Sequence, residues 1–455
     1  TSAVRSRHPG CGRSQVVTYS WTEYPPVSGI QSAVHAGPQS GPWGAPVEVG
    51  PRNWASEAGC GAAASLGCAL AGAGLETAVI EQSNAAQMQL PAFDGRTTSI
   101  AHGSAQVLKG IGLWPLLEAT AEPILDIRIA DGHPSRGLSP LFLHYDHTEV
   151  GTDPFGYIIE NRLIRDALFR LSDKTPSLTV VAPATVERAE RDMNGAAVKL
   201  TDGRSLSCSL VVGADGRNSP LRRSAEISVN QFRYDQTAIV CTVAHERSHH
   251  GVAVELFLPA GPFAMLPMTG HRTNIVWTER SDLAPSFLEL EENLFLAEVE
   301  RRFGTWLGAL ELEGPRFSYP LGLMHASRYT DQRLALISEA AHSIHPIAGQ
   351  GLNMGIRDVA ALAEAVVDAI RLGLEPADPT ALARYENWRR FDNTTLVAVT
   401  DTLNRLFSND IAPIRAARGA GLATVGRVPP LKRLFMRHAM GVVGDLPRLV
   451  RGGSL

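Results

Sequence analysis

Leucine is absent from the chain until Leu66, and that gap is the first thing the sequence says about itself. From Thr1 to Ser56 there is also no Phe, Met, Lys or Asp, while Gly and Pro fill 14 of the 56 positions and three of the seven Trp fall there. Such a stretch offers no apolar face of period 3.6 or 2, so residues 1–56 read as an irregular or disordered extension without a core element. Two origins fit it: a low-complexity extension, or a stretch translated out of frame in a GC-rich gene. The second is preferred because the motif that follows is damaged. Cysteine is scarce and odd in number (Cys11, Cys60, Cys68, Cys208, Cys241) with no C-x-x-C pair, which argues against a disulfide framework or zinc knuckle and for a reducing, cytoplasmic setting. No apolar run approaches the roughly 18 to 20 residues of a membrane span, and no charged start leads into an apolar stretch, so neither a spanning helix nor a secretory signal is expected. With 42 Lys and Arg against 46 Asp and Glu, the net charge of −4 excludes a nucleic-acid coat. What remains is a 455-residue globular chain, enough for roughly two to three domains at about 150 residues each.

Chemistry begins after residue 57. Leu66 to Leu75 reads as a small-residue helix ending at Gly74, and Thr77 to Glu81 as a strand closing on an acid. That is the second half of a βαβ nucleotide unit, in which the acid holds a ribose hydroxyl, making Glu81 the ribose candidate. Counting back, the G-x-G-x-x-G phosphate turn should fall at Ala58, Cys60 and Ala63, none of which is glycine. Gly59 and Gly61 lie between them and are the remaining candidates for close approach to a phosphate. Further on, Leu210-Val211-Val212-Gly213-Ala214-Asp215-Gly216 is a buried strand running into a turn, with Asp215 where doubly wound sheets place ligand contacts. Arg333 to Asn353 is a longer signal: a strand, the acid Glu339, a loop bearing Pro346 and Gly349, then a helix whose N-terminus faces that loop. Backbone N–H groups there and the helix dipole suit an electron-rich, partly anionic ring.

At these residues the chain resembles the flavin-dependent aromatic hydroxylases of the para-hydroxybenzoate hydroxylase type, and among them the ubiquinone-biosynthesis hydroxylases acting on polyprenylated phenols. The resemblance spans about residues 57 to 455. It is carried by Arg96-Thr97-Thr98-Ser99-Ile100, Gly112-Leu113-Trp114, Glu160-Asn161-Arg162-Leu163, Gly213 to Pro220, Phe257 to Phe263 and, most specifically, His345 to Asn353. It implies FAD as cofactor, NAD(P)H as reductant and dioxygen as co-substrate. It further implies that Glu81 holds the adenosine ribose, that Arg96 and Arg162 lie near the FAD phosphates or flavin, and that Asp215 sits between FAD and the passing nicotinamide. Glu339 would bind the ribityl chain, while Pro346, Gly349, Gln350, Gly351, Leu352 and Asn353 would line the isoalloxazine. The chain departs from the family's usual Gly-Asp at the ribityl motif, where it has Ser338-Glu339, an acceptor one methylene longer.

The expected fold class is α/β, an FAD-binding Rossmann-like domain with a second mixed β-sheet substrate domain and a helical C-terminus. The expected divisions are 57–226 with 327–380 for the FAD-binding domain, 227–326 for the substrate domain and 381–455 for the helical region. No catalytic base is assigned; His271 and Tyr319 fall in or near the substrate domain, where a lone His or Tyr is ordinarily structural. No metal is expected, because the pairs His342/His345 and His249/His250 lack further ligands at suitable spacing. From Leu403 to Leu455 nine Lys or Arg stand against two acids, interleaved with Leu431, Leu434, Phe435, Met440 and Val443. That pattern fits a segment lying on an anionic membrane surface, peripheral to the inner membrane, and a polyprenylated phenol as partner favours it over a solvated or protein-binding face. Membership of a multiprotein ubiquinone-biosynthesis complex is a further expectation. Two other readings stand beside the hydroxylase: a non-catalytic scaffold that keeps the fold, and a flavin-dependent dehydrogenase or reductase.

Overall fold

A computed structural model describes residues 14–20, 55–84, 95–133 and 137–455. Short apolar runs bounded by turn residues become strands, the central ones buried on both faces. Leu334–Leu336, Ser205–Ala214, Ser14–Ser20, Thr77–Glu81 and Leu178–Val181 lie side by side in that order, all parallel. The antiparallel strands Ala196–Leu200 and Val186–Arg191 extend from Ser205–Ala214. The helix Ala55–Gly72 covers this sheet and packs against the helices Asn161–Lys174 and Gly351–Arg371.

The centre of that sheet overturns one expectation. Ser14–Ser20 lies inside the segment read as lacking any core element, yet it is the middle strand, pairing Val17 with both Ala78 and Val211. Val16, Val17, Thr18 and Tyr19 are at most 2% exposed. The composition of all 56 residues masked a run of four; a strand between two parallel neighbours needs only that much. The rest of the extension before Ala55 lies outside the described residues.

A second, mixed sheet of eight strands lies beside the first. It runs His342–Ser343, Leu310–Ala326, Val229–His245, Arg272–Arg280, Gly261–Met268, Val252–Leu258, Asp126–His133, Gly137–Asp146. Asp126–His133 and Gly137–Asp146 widen it beyond 227–326, because Val252–Leu258 pairs in parallel with Asp126–His133, a partner 126 positions earlier in the chain for Val252. One face packs on the helices Ala284–Leu288 and Glu292–Phe303 through Leu256, Leu258, Phe263, Trp277 and Phe295. The other face looks toward the helices Pro379–Phe407, Ala412–Arg427 and Pro429–Ala439, through contacts such as Phe257 on Phe407 at 4.0 Å between ring centroids. A small third sheet, Thr97–Ala101, Gly156–Glu160 and Glu122–Ile124, bridges the two.

Candidate functional site

Between the sheets runs a cavity of about 710 Å³. Its walls at one end are Thr97, Ser99, Asp215, Arg217, Glu339 and the loop Pro346 to Leu352; in the middle they are the open face of the second sheet; at the far end they are the C-terminal helices. Both ends reach the surface. Asn218 and Gly351 are exposed at the first, and Leu406, Ala417, Gly421 and Phe435 at the other.

The loop owes its shape to one residue. Asn353, on the first turn of the helix Gly351–Arg371, is 1% exposed, and its amide reaches out of the helix in three directions. Its Oδ1 accepts from the Ala101 N–H at 2.8 Å, and its Nδ2 donates to the carbonyls of Ser99 at 2.7 Å and Gly349 at 3.0 Å. Asn353 is therefore a clamp between loop and strand rather than a lining residue, which differs from the role expected of it; Pro346, Gly349, Gln350, Gly351 and Leu352 do line the cavity. Gly349 has φ +61°, and a Cβ there would lie 2.9 Å from Ser99 Cβ. At Gly351 a Cβ would meet nothing within 4 Å, leaving open space at the helix N-terminus.

Below the loop lies a buried charge cluster that sequence reasoning missed. Asp358, 0% exposed, accepts on Oδ2 from His342 Nε2 at 2.5 Å and the Ser338 N–H at 2.9 Å, and on Oδ1 from Arg389 Nε at 2.8 Å and Asn393 Nδ2 at 3.2 Å. Burial alone would raise this carboxyl, but His342 and Arg389 overcome it and hold it far below the usual carboxylate range. Ser338 stands at φ +55°, the left-handed region that favours glycine, with its N–H fixed by Asp358. The signal available was Asp358 seven residues beyond Gly351 on one helix, facing Arg389 of a helix whose docking the sequence does not reveal. His342, weighed above as a metal ligand, is engaged by this carboxylate. His249 uses both ring nitrogens on backbone, at the Met268 carbonyl and the Gly251 N–H.

The other candidates scatter around this centre. Asp215 lines the cavity, accepts from Ser219 Oγ at 2.5 Å and the Leu221 N–H at 3.0 Å, and is pushed up by burial. Its turn is tied to the loop motif by Arg222 Nη1, which donates to the Ala340 carbonyl at 2.8 Å. Glu339 lines the cavity near Arg217. Glu81 ends its strand 2% exposed and accepts from the Ser83 N–H at 2.9 Å. Arg96 is buried, and Arg162 donates to Glu160 at 2.6 Å, whose other oxygen takes Arg272 at 2.9 Å. Neither arginine lines the cavity; Arg165, one helical turn beyond Arg162, does. Gly59 and Gly61 lie within the helix Ala55–Gly72 instead of on a turn before it, and Gly61 lines the cavity, where an added Cβ would lie 3.7 Å from Leu352 Cδ1. The link from Ser20 to the helix, where a phosphate turn would lie, falls outside the described residues.

The described residues fit a flavin nucleotide. An apolar slot sits under a helix N-terminus with open space at Gly351, acids stand at both expected sugar positions, and Thr97 Oγ1 is buried without a hydrogen-bond partner among the described residues beside the slot.

Comparison with known proteins agrees with this geometry. Residues 58–399 match the family described as FAD binding domain. The Rhodospirillum rubrum protein named ubiquinone hydroxylase UbiL is 52% identical over 394 residues, 86% of this chain and 90% of that protein. The 3-demethoxyubiquinol 3-hydroxylase of Escherichia coli is 31% identical over 388 residues, 84% of this chain and 96% of that one. Among solved structures, p-nitrophenol 4-monooxygenase PnpA from Pseudomonas putida DLL-E4 superposes with a TM-score of 0.70 at 17% identity, covering 94% of this chain and 98% of its own. At that identity the likeness is one of fold.

Proposed function

This chain belongs to the FAD-binding-domain family and, within it, to the ubiquinone hydroxylases, and from that premise we propose that it hydroxylates the ring of a polyprenylated phenol in ubiquinone biosynthesis. FAD, reduced by NAD(P)H, supplies the electron transfer and the activation of dioxygen when bound. The chain's part is to bind, orient and keep water out. Asp215, Glu339 and the loop Pro346 to Leu352 would hold the flavin and its ribityl chain, and Glu81 the adenosine ribose. Arg96, buried, and Arg162, held by Glu160, would stand near the FAD phosphates or flavin from outside the cavity lining.

The single observation that carries the substrate reading is the continuity of the cavity. A ring placed against the loop leaves an apolar path past Ile127, Leu143, Phe257 and Leu403 to an opening at Leu406 and Phe435, which suits a long prenyl tail and excludes water from the ring. Protein charged with FAD, given NAD(P)H, air and 2-geranylphenol, should return the phenol heavier by one oxygen atom. NAD(P)H consumption without that product would favour a dehydrogenase or reductase, and a protein that retains no flavin would favour the scaffold.

The opening also bears on membrane contact, which we place in the same proposal together with membership of a biosynthetic complex at the inner membrane. Among the described residues no helix is long and apolar enough to cross a membrane. Of the nine C-terminal bases, Arg405, Arg415, Arg418, Lys432 and Arg448 are paired with acids. Arg427, Arg433 and Arg437 are exposed beside Val428, Leu434 and Phe435 at the cavity mouth. At about 1 kcal/mol per base near an anionic surface, Arg433→Glu with Arg437→Glu should cut sedimentation with anionic liposomes by more than tenfold at low salt. Equal sedimentation of both proteins would remove the membrane from the proposal.

A further inference from the structure

The second sheet presents an acid where its neighbours are apolar. Along Val252–Leu258 the two-residue period sends Leu256 and Leu258 into the core beneath the sheet and turns Ala253, Glu255 and Phe257 toward the cavity. In the row across the sheet, Glu255 stands between Ile129 and Ala264, with Leu143 beyond the one and Val276 beyond the other. All four line the same cavity. Among the described residues no donor or cation pairs with the Glu255 carboxyl. Burial alone acts on it, pushing it up to about 8.

An unpartnered carboxyl in an apolar wall destabilises a fold, so packing does not account for it. By contrast, the ion pair at the end of the same cavity, Arg418 on both oxygens of Asp131 at 3.0 Å, has an evident structural use: it fastens the helix Ala412–Arg427 to the sheet. Among the described residues, Glu255 fastens nothing.

We propose that Glu255 is the residue that binds the substrate's phenolic hydroxyl and takes its proton as the ring is hydroxylated. The inference rests on the phenol reading above. In the step, the phenol O–H bond breaks, its electron pair stays on the oxygen and enriches the ring, and the proton forms a new O–H bond on a Glu255 carboxyl oxygen. The incoming oxygen atom comes from the established flavin reaction. An ordinary glutamate, near 4.3, is a poor base for a phenol near 10; the apolar wall brings the two closer, and it is the ionised carboxylate, whose share grows as the pH rises through about 8, that takes the proton. The carboxyl lines the same cavity as Pro346 and Gly349 of the flavin loop.

The test separates binding from turnover. Binding of 2-geranylphenol and of its O-methyl ether, which keeps the shape but lacks the proton, is measured by titration calorimetry on the wild type, Glu255→Leu and Glu255→Gln. The wild type should prefer the phenol by about tenfold, and Glu255→Leu should bind both alike. Glu255→Gln should keep part of the preference, since an amide oxygen also accepts, but its hydroxylation rate should fall about 10²-fold. The melting temperature of Glu255→Leu should not fall, whereas a glutamate kept for structure would leave it lower. Unchanged preference in Glu255→Leu, or wild-type turnover by Glu255→Gln, overturns the assignment while leaving the phenol reading standing. Failure of the wild type to bind either compound overturns both.

Discussion

Asp358→Asn should lower stability at pH 7 by about 3–5 kcal/mol, the loss expected when one partner of a buried ion pair is removed. The reason is that every group facing Asp358 is a donor. The Ser338 N–H and His342 meet one carboxylate oxygen, and Arg389 and Asn393 meet the other. Whichever way an asparagine turns, its NH2 confronts a donor, and the fully buried Arg389 keeps, among the described residues, only Asp392, at 2.7 Å, as counter-ion. Because the folded state holds the Asp358 carboxyl below its ordinary value, its contribution is fully present above about pH 4 to 5, and is lost as the pH falls from there toward the depressed folded value. Thermal melts at pH 7, 5, 4 and 3 should show the gap between wild type and variant wide at the first two and narrowing at the last. A constant gap would mean that Asp358 is not held ionised by its neighbours. In the orientation that turns its NH2 toward His342, the asparagine also takes the acceptor from the N–H of the left-handed Ser338, and flavin retention should fall with the loosening of Ser338-Glu339.

The second large effect is expected at Asn353. Asn353→Ala leaves the Ala101 N–H and the carbonyls of Ser99 and Gly349 without the amide that joins them, at about 1 kcal/mol or more for each of three bonds. Their sum, about 3–4 kcal/mol, falls on the segment where the flavin ring is proposed to rest. FAD affinity, followed by flavin fluorescence, should weaken by 10²- to 10³-fold, while the rest of the fold persists because its two sheets do not depend on this clamp. Asn353→Asp should fail similarly: it keeps an acceptor for Ala101 but sets a carboxylate oxygen against two carbonyls. Wild-type FAD affinity in Asn353→Ala would show that the loop holds its shape without the amide.

Residues that act as neighbours along the chain were legible, and residues that act through pairing were not. The loop Pro346 to Leu352 and the turn at Asp215 declare themselves because backbone, proline and glycine set their geometry locally. Asn353 belongs to the same run, but its role depends on Ser99 and Ala101, more than 250 positions earlier, so it read as a lining residue. Arg162 is a site candidate by motif and Arg165 is not, yet Arg165 is the one that lines the cavity, because Arg162 is turned onto Glu160, which also holds Arg272. Glu255 gave no signal because an acid in a strand of alternating pattern normally faces water. Only a cavity roofed by the C-terminal helices makes that face an interior.

The sequence by itself determined the α/β class, the family and the chemical type of the site, because local geometry and characteristic motifs carry those across unrelated surroundings. Tertiary structure decided which strand is central, what the buried acids face and where the cavity ends. Ser14–Ser20 is a core strand only when held between Thr77–Glu81 and Ser205–Ala214, Asp358 is an anion only beside Arg389 and His342, and Glu255 is an unpartnered acid only where Ile129 and Ala264 flank it. Burial and electrostatic environment are properties of the assembled neighbours, and no run of residues contains its own.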